Sequence, residues 1–200
     1  MNLKINFKSE SKNIKYKILR LLLEGEEIEI MEACFPPLKK QLLNNSIKSE
    51  LKYKLNMKYP VFNYKIIEEN KNMNLRVYLL NKESITAVHN LEKRNIIIKI
   101  EFIQIKLLNK IKKQLVDRDF IFVAIIGDYI YILLYEKFYL AANKTFHTKD
   151  KINVEEIINS ISTEKNLKEI KKIYCYNMFI KNNKLYSYDN IGDFYEELCK

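Results

Sequence analysis

Residues 120–146 read FIFVAIIGDYIYILLYEKFYLAANKTF, three apolar runs that only a Gly-Asp and a Glu-Lys dipeptide interrupt. In the middle run, tyrosines and a leucine alternate with Ile130, Ile132 and Leu134, which is the period of two that a pleated strand imposes. The stretch therefore predicts a three-stranded antiparallel meander in the core of the fold. It carries no obvious catalytic residue.

The composition is that of a folded chain. Of the 200 residues, 48% are hydrophobic and 30% charged, and only three glycines and three prolines interrupt the pattern, so no linker or low-complexity tail is predicted. The longest apolar stretch, residues 120–135, is shorter than the roughly 20 residues of a membrane-spanning helix. The start, MNLKINFKSESK, lacks the apolar region of a secretory leader. We therefore expect a cytoplasmic location.

A net charge of +10 raises the alternative of a basic nucleic-acid-binding module. Only four of the 35 basic residues are arginine, the side chain that base readout and phosphate clamps favour. The lysines are spread along the whole chain, which indicates a solvated surface and argues against a nucleic-acid partner. Three cysteines without CxxC spacing predict neither a disulfide framework nor a zinc site, and Cys34 and Cys175 are interpreted as small buried thiols.

The remaining apolar periodicities predict an order of βββ, α, ββ, α, β, α, then βββ, α, β, α. Ser84 and Asn153 are the predicted caps of two of the helices. The predicted strands cover residues 3–7, 14–23 and 28–34 (a first meander), 62–69, 75–80, 96–102, the three runs of 120–146, 170–176 and 185–188. The predicted helices cover residues 38–57, 84–94, 103–115, a segment after residue 153, and 192–199.

This order resembles the actin and ribonuclease-H-like superfamily, which builds its two halves from βββαβα units. The phrases SIKSELKYKLNMKYPVFNYKIIEE (46–69) and LRVYLLNKESITAVHNLEK (75–93) are similar to PilM-like pilus assembly proteins and to the cytoplasmic part of the GspL type II secretion protein. The resemblance implies an α/β fold of degenerate actin-like type. It places a first half at residues 1–116, with an inserted αββαβ subdomain at about 38–102, and a second, shortened half at 117–200.

The phosphate-loop positions of that superfamily depart from its pattern. The Asp-x-Gly of the first loop meets Asn6 and Lys8, and the Asp-x-Gly-x-x-x-Thr of the second meets Ile125, Gly127 and Tyr131. The adenosine-binding Gly-Gly would fall at residues 175–178, which contain no glycine. Loss of the metal-directed acids argues against ATP hydrolysis, and Asn6 likewise leaves a ribonuclease-H-type nuclease without its first carboxylate.

The resemblance therefore implies a non-catalytic scaffold of a type IV pilus or type II secretion assembly platform, without a catalytic residue, cofactor or metal. It implies protein partners, namely a bitopic membrane protein, an assembly ATPase or both, and hence a position peripheral to the inner membrane. A homodimer stays open. The alternatives are the nucleic-acid-binding module and, ranked below it, an active actin-like ATPase.

Three further features have both a functional and a structural interpretation. The row of Tyr129, Tyr131 and Tyr135 could stack on single-stranded nucleic acid, but a sheet face half covered by helices, with hydroxyls reaching water, is favoured. The lysine face of helix 103–115 could meet acidic headgroups, although a solvated face is favoured. His89 and His147 lack metal-ligand spacing and are interpreted as structural or exposed.

Overall fold

The computed structural model describes residues 2–7, 17–80, 82–93, 95–164, 172–177 and 187–190. Its strands are β1 (Asn2–Phe7), β2 (Lys17–Glu24), β3 (Glu29–Phe35), β4 (Phe62–Glu69), β5 (Met73–Leu79), β6 (Asn95–Phe102), β7 (Phe120–Ile126), β8 (Tyr129–Glu136), β9 (Tyr139–His147), β10 (Lys172–Tyr176) and β11 (Ser187–Asn190). Its helices are α1 (Lys40–Leu55), α2 (Lys82–Glu92), α3 (Ile103–Ile111) and α4 (Val154–Glu164). The predicted mixed α/β class is confirmed.

The predicted meander at residues 120–146 is confirmed. β7, β8 and β9 form consecutive antiparallel pairs, with Phe120 opposite Tyr135 and Tyr129 opposite His147. β10 adds to β7 in parallel, and β11 adds to β10, which gives a five-stranded sheet of order β11-β10-β7-β8-β9. Antiparallel strands need only a tight turn, whereas the parallel strand arrives after helix α4, as a crossover connection requires.

The two faces of β8 separate as the alternation predicts. Ile132 and Leu134 join Ile121 of β7 and Ile158 of α4 in one fully buried cluster. Helix α4 lies over this face because its own apolar residues recur at helical spacing. The predicted cap is also confirmed, since the Asn153 side-chain oxygen accepts the Glu156 backbone N–H at 3.5 Å.

A second core lies between α1 and the sheet of order β3-β5-β4. The inner face of α1 is Leu43, Ile47 and Leu51, each 1% exposed or less. It packs on alternate residues of β5, namely Met73, Leu75, Val77 and Leu79. The predicted hairpin of β4 and β5 is present, with a bulge between Ile66 and Glu68. The period change at residue 38, from two to 3.6, thus marks a real change from strand to helix.

The predicted first meander is wrong. β1 and β2 belong to a sheet of order β1-β2-β6, whereas β3 pairs with β5, with Ile30 opposite Tyr78. The physical reason lies in the alternation within β3. Its residues Met31, Ala33 and Phe35 pack against the core that α1 covers, so β3 belongs with that helix. β6 correspondingly lies in the sheet of β1 and β2.

Smaller differences concern boundaries. α2 begins at Lys82, so Ser84 lies inside the helix and is not its cap; capping signals locate a helix start only to within one or two residues. α3 ends at Ile111 and not at 115. β11 begins at Ser187, and the predicted helix 192–199 lies outside the described residues.

The chain divides into two compact units. The first, the meander unit, contains β7 to β11, α3 and α4, together with residues 20–25 at the end of β2. The second, the helix-hairpin unit, contains β3, α1, β4, β5 and α2. The division at residue 116 into two actin-like halves stays a prediction. No helix in the described ranges combines the length and the apolar character needed to cross a bilayer.

Candidate functional site

The second of the predicted phosphate loops lies at the β7–β8 turn of the meander unit. Ile125 sits near the end of β7, directly opposite Ile130 of β8. Gly127 follows in the turn with φ +57°, and a Cβ built on it would have no atom within 4 Å. Tyr131 lies in β8 and is completely buried. The turn is therefore open on one side, while the position of the predicted threonine is deep in the core.

The first predicted loop is described only in part. Asn6 is the fifth residue of β1, and Lys8 lies outside the described residues. Asn6 belongs to the same compact unit of the chain as the second-loop positions.

Tyr131 makes a long-range hydrogen bond to the end of β2. The Gly25 backbone N–H donates to the Tyr131 hydroxyl oxygen with an N···O distance of 2.7 Å, across 106 residues of sequence. This distance is short for a neutral N–H···O bond, and the bond supplies the buried phenol with a polar partner. The hydroxyl at this position is consequently engaged with the protein's own backbone.

The Tyr129 ring covers Gly25 from the same strand face. Gly25 has φ +79°, and a Cβ at this residue would lie 2.6 Å from Cε1 and 2.8 Å from Cε2 of Tyr129. Any side chain at residue 25 would therefore collide with the ring. Glycine is needed here twice over, for its left-handed backbone and for the close approach of an aromatic face.

Neighbouring rings hold Tyr129 in place. Its centroid lies 6.4 Å from that of Tyr131 and 5.6 Å from the imidazole of His147, which is its cross-strand partner on β9. The His147 ring is itself held in place, because its Nδ1 accepts the Lys149 backbone N–H at 3.2 Å. We call Gly25, Tyr129, Tyr131 and His147 the tyrosine plug.

The side chains of the tyrosine plug are of the kind that pack in a core. Its polar groups are one phenol that accepts a backbone N–H, a second phenol and an imidazole, and none of these is a carboxylate that could serve a metal ion. Among the described residues no three His, Cys, Asp or Glu side chains come together as a metal site. Along the chain Gly25 is flanked by Glu24, Glu26 and Glu27, and such negative charges repel phosphate groups.

The tyrosine row is covered, as the sequence analysis favoured. Tyr131 and Tyr135 are completely buried, so neither ring offers a stacking surface to a base. The expectation that their hydroxyls reach water is wrong. Tyr135 donates to the Gln104 carbonyl of α3 at 2.8 Å, and Tyr131 accepts from Gly25.

The other candidate residues have structural surroundings. His89 contacts the Glu92 carboxylate at 2.6 Å and the Tyr59 carbonyl at 3.2 Å, which ties α2 to the loop before β4. Cys175 is buried as predicted, but Cys34 is exposed, because it lies on the face of β3 that points away from α1. The lysine face of α3 is half-buried at Lys106 and Lys110. Lys112 and Lys113, which were predicted to belong to it, lie beyond the helix end.

Sequence reasoning missed Gly25, which lies between the two predicted strands at residues 14–23 and 28–34. The signal available in the sequence was the small number of glycines. With only three glycines in the chain, each one is a candidate for a special backbone conformation or a close approach, but the sequence does not reveal that the Tyr129 ring lies against Gly25.

Comparisons with known proteins identify the fold. No family model matches the sequence, and no curated protein matches it. The structure is similar to that of the PilM-PilN type IV pilus biogenesis complex, with a TM-score of 0.53 and 9% sequence identity over 81% of this chain. The chain spans 62% of the length of that matched chain.

Two further solved structures align with lower scores. One is the cytoplasmic domain of EpsL, an inner membrane component of the type II secretion system of Vibrio cholerae, with a TM-score of 0.46, 8% identity, and coverage of 90% of this chain and 71% of that one. The other is a Bacteroides thetaiotaomicron protein with an actin-like ATPase fold, with a TM-score of 0.36, 14% identity, and coverage of 82% and 60%. Since both scores are below 0.5, the assignment rests on the first structure.

The chain therefore has a mixed α/β fold similar to that of the matched chain in the PilM-PilN structure. At 9% identity the likeness defines the class of fold.

Proposed function

We propose that this chain is a non-catalytic scaffold of a type IV pilus or type II secretion assembly platform, and that it binds a bitopic membrane protein, an assembly ATPase, or both. The observation that carries the proposal is the tyrosine plug. In the alignment predicted from the sequence, Tyr131 stands where nucleotide-binding members of the fold have a threonine, and its hydroxyl is bonded to Gly25.

The argument against catalysis is one of space and charge. A phosphate loop needs backbone N–H groups that are free to face the phosphates and small residues that let them approach. At the second predicted loop the threonine position holds Tyr131, which is completely buried and whose hydroxyl already accepts the Gly25 N–H. Ile125 replaces the acid that would serve a metal ion. A protein that retains this fold without these groups can still present surfaces to partners.

The argument for an assembly role comes from the fold together with the resemblance of residues 46–93 to PilM-like proteins. The structure it matches is that of PilM in a complex with PilN, a protein–protein assembly. A scaffold of this kind requires rigid cores rather than a cleft, and each unit of this chain has a hydrophobic core.

The absence of nucleotide chemistry is tested by isothermal titration of the purified chain with ATP and magnesium, beside an active actin-like ATPase as a positive control. We expect no binding up to millimolar nucleotide. Micromolar binding would refute the non-catalytic part of the proposal. A Tyr129→Ala variant serves as an internal check, since opening the plug should not by itself create affinity when the acid position is isoleucine.

The partners are tested separately by co-expression of the chain with candidate single-span membrane proteins and assembly ATPases, followed by co-purification. We expect a single-span membrane protein or an oligomeric ATPase to co-elute at a fixed ratio. Co-elution of nucleic acid instead, removed by salt, would favour the nucleic-acid-binding module. Co-elution of neither would leave the scaffold role without support and count against it.

A further inference from the structure

Helix α1 buries one face and leaves the opposite face bare. Its inner residues Leu43, Ile47 and Leu51 fill the core of the helix-hairpin unit. On the outer side Leu42 is 56% exposed and Tyr53 is 89% exposed. Large apolar side chains at this exposure contribute little to the core and are available for contact with a partner surface.

The two exposed side chains lie along one line of the helix. They are 11 residues apart, which is about three turns at 3.6 residues per turn, and their separation along the axis is about 16 Å. Asn45, Ser49 and Lys52 lie on the same exposed side. The outer surface is therefore a convex strip with an apolar residue near each end and no groove between them.

The exposed surface around the helix is basic, with Lys52 on the strip and Lys48 at its edge. Lys40 and Lys54 are exposed at the two ends of the helix, in line with the buried residues. Residues 39–58 contain a single acidic residue, Glu50, whose carboxylate contacts the Lys54 ammonium at 2.6 Å. Every lysine in this range is exposed: Lys39, Lys40, Lys48, Lys52, Lys54 and Lys58. We call the exposed side chains of residues 39–58 the α1 outer face.

We propose that the α1 outer face docks directly on the surface of an anionic lipid bilayer, with Leu42 and Tyr53 entering the headgroup region and the lysines contacting lipid phosphates. This interaction is additional to any contact through a protein partner. Lysines flanking exposed aromatic and aliphatic residues on a helix match the chemistry of an interfacial helix.

Two features favour a bilayer over an acidic peptide or a nucleic acid. A peptide partner would need a groove or a central hot spot, whereas Leu42 and Tyr53 stand about 16 Å apart on a convex surface. A nucleic acid would provide no apolar environment for Leu42, and the face contains no arginine. Lysines are point charges without a fixed planar geometry, which suits a diffuse layer of headgroups.

The test is co-sedimentation of the full chain with phosphatidylcholine vesicles that contain or lack phosphatidylglycerol. We expect binding to the anionic vesicles only, and loss of binding at about 1 M salt, where the Debye length falls to about 3 Å. Each lysine near an anionic surface contributes on the order of fivefold to the partition coefficient, so Lys48→Gln with Lys52→Gln should weaken binding about 30-fold.

The matched charge control is Lys112→Gln with Lys113→Gln, which removes the same charge from two exposed lysines after α3. We expect it to leave vesicle binding within about twofold of the unaltered protein, since these lysines are remote in sequence and lie in the other unit. An equal loss in both double variants would overturn the proposal, because binding would then follow net charge alone.

Because the chain contains no tryptophan, the apolar part of the proposal has a direct probe. Tyr53→Trp places a single indole on the α1 outer face, and Val116→Trp places one at a residue that is 92% exposed in the meander unit. We expect a blue shift of the emission of the first variant on anionic vesicles, and none for the second. Vesicle binding without a shift at residue 53, or retention on polyglutamate without vesicle binding, would overturn the bilayer assignment.

Discussion

Replacement of Gly25 by alanine perturbs the contact on which the tyrosine plug depends. The new Cβ would stand 2.6 Å and 2.8 Å from two carbons of the Tyr129 ring, at a backbone φ of +79°. The left-handed backbone costs an L-residue about 1–2 kcal/mol. Displacing a packed ring costs a further 1–3 kcal/mol or so. We therefore expect Gly25→Ala to lower the free energy of unfolding by about 2–5 kcal/mol.

Gly127→Ala is the matched control for this substitution. Its φ of +57° imposes a similar backbone penalty, but its Cβ would have no neighbour within 4 Å. The expected loss is about 1–2 kcal/mol, all of it from the backbone. The difference between the two variants, about 2 kcal/mol, corresponds to roughly 4–8 °C in melting temperature for a chain of this size.

The assay is thermal unfolding of both variants, followed by far-ultraviolet circular dichroism under identical conditions. Equal melting temperatures for the two variants would refute the claim that Tyr129 lies against Gly25. Adding Tyr129→Ala to each variant sharpens the comparison. With the ring removed, Gly25→Ala should cost only the backbone penalty. The double variant should therefore be less destabilised than the sum of the two single changes.

Three further substitutions test individual contacts by the same unfolding measurement. Tyr131→Phe leaves the Gly25 N–H without its hydroxyl acceptor and should lower the free energy of unfolding by about 1–3 kcal/mol. An unchanged free energy of unfolding would show that this hydrogen bond does not stabilise the protein. Ile47→Ala should cost about 2–5 kcal/mol and Leu42→Ala less than about 0.5 kcal/mol, and comparable losses would contradict the orientation of α1. Asn153→Ala should cost about 0.5–2 kcal/mol through the α4 cap, whereas Ser84→Ala, inside α2, should be neutral or slightly stabilising.

The parts of the fold that the sequence predicted correctly are those whose signal is local. The period of two in residues 120–146 and its turn dipeptides specify a meander without reference to the rest of the chain. The helical spacing of apolar residues likewise predicts the buried face of α1, at Leu38, Leu42, Leu43, Ile47, Leu51 and Leu55. The prediction is wrong for Leu42, which is 56% exposed. Each of these segments contains both the apolar periodicity that defines its strands or helix and the residues that end them.

The choice of partner for β3 could not be predicted, because it depends on which core covers its apolar face. An alternating strand fits any sheet with a matching buried side. Its proximity in sequence to β2 suggested a meander, but the core beneath α1 needed Met31 and Phe35. The tyrosine plug could not be predicted for a similar reason. Gly25 and Tyr131 are 106 residues apart, and the local sequence around one carries no information about contact with the other.

The tyrosine plug also makes packing and phosphate binding mutually exclusive at this place in the fold. In the predicted alignment, Tyr131→Thr would restore one phosphate-loop residue, but it would remove most of a completely buried side chain and leave a cavity in the core. The Gly25 N–H would lose its acceptor at the same time. Recovery of a nucleotide site would also need the acids and the glycine that the predicted alignment lacks at Asn6, Lys8 and Ile125. The single reversal at Tyr131 would therefore cost stability without supplying a metal ligand.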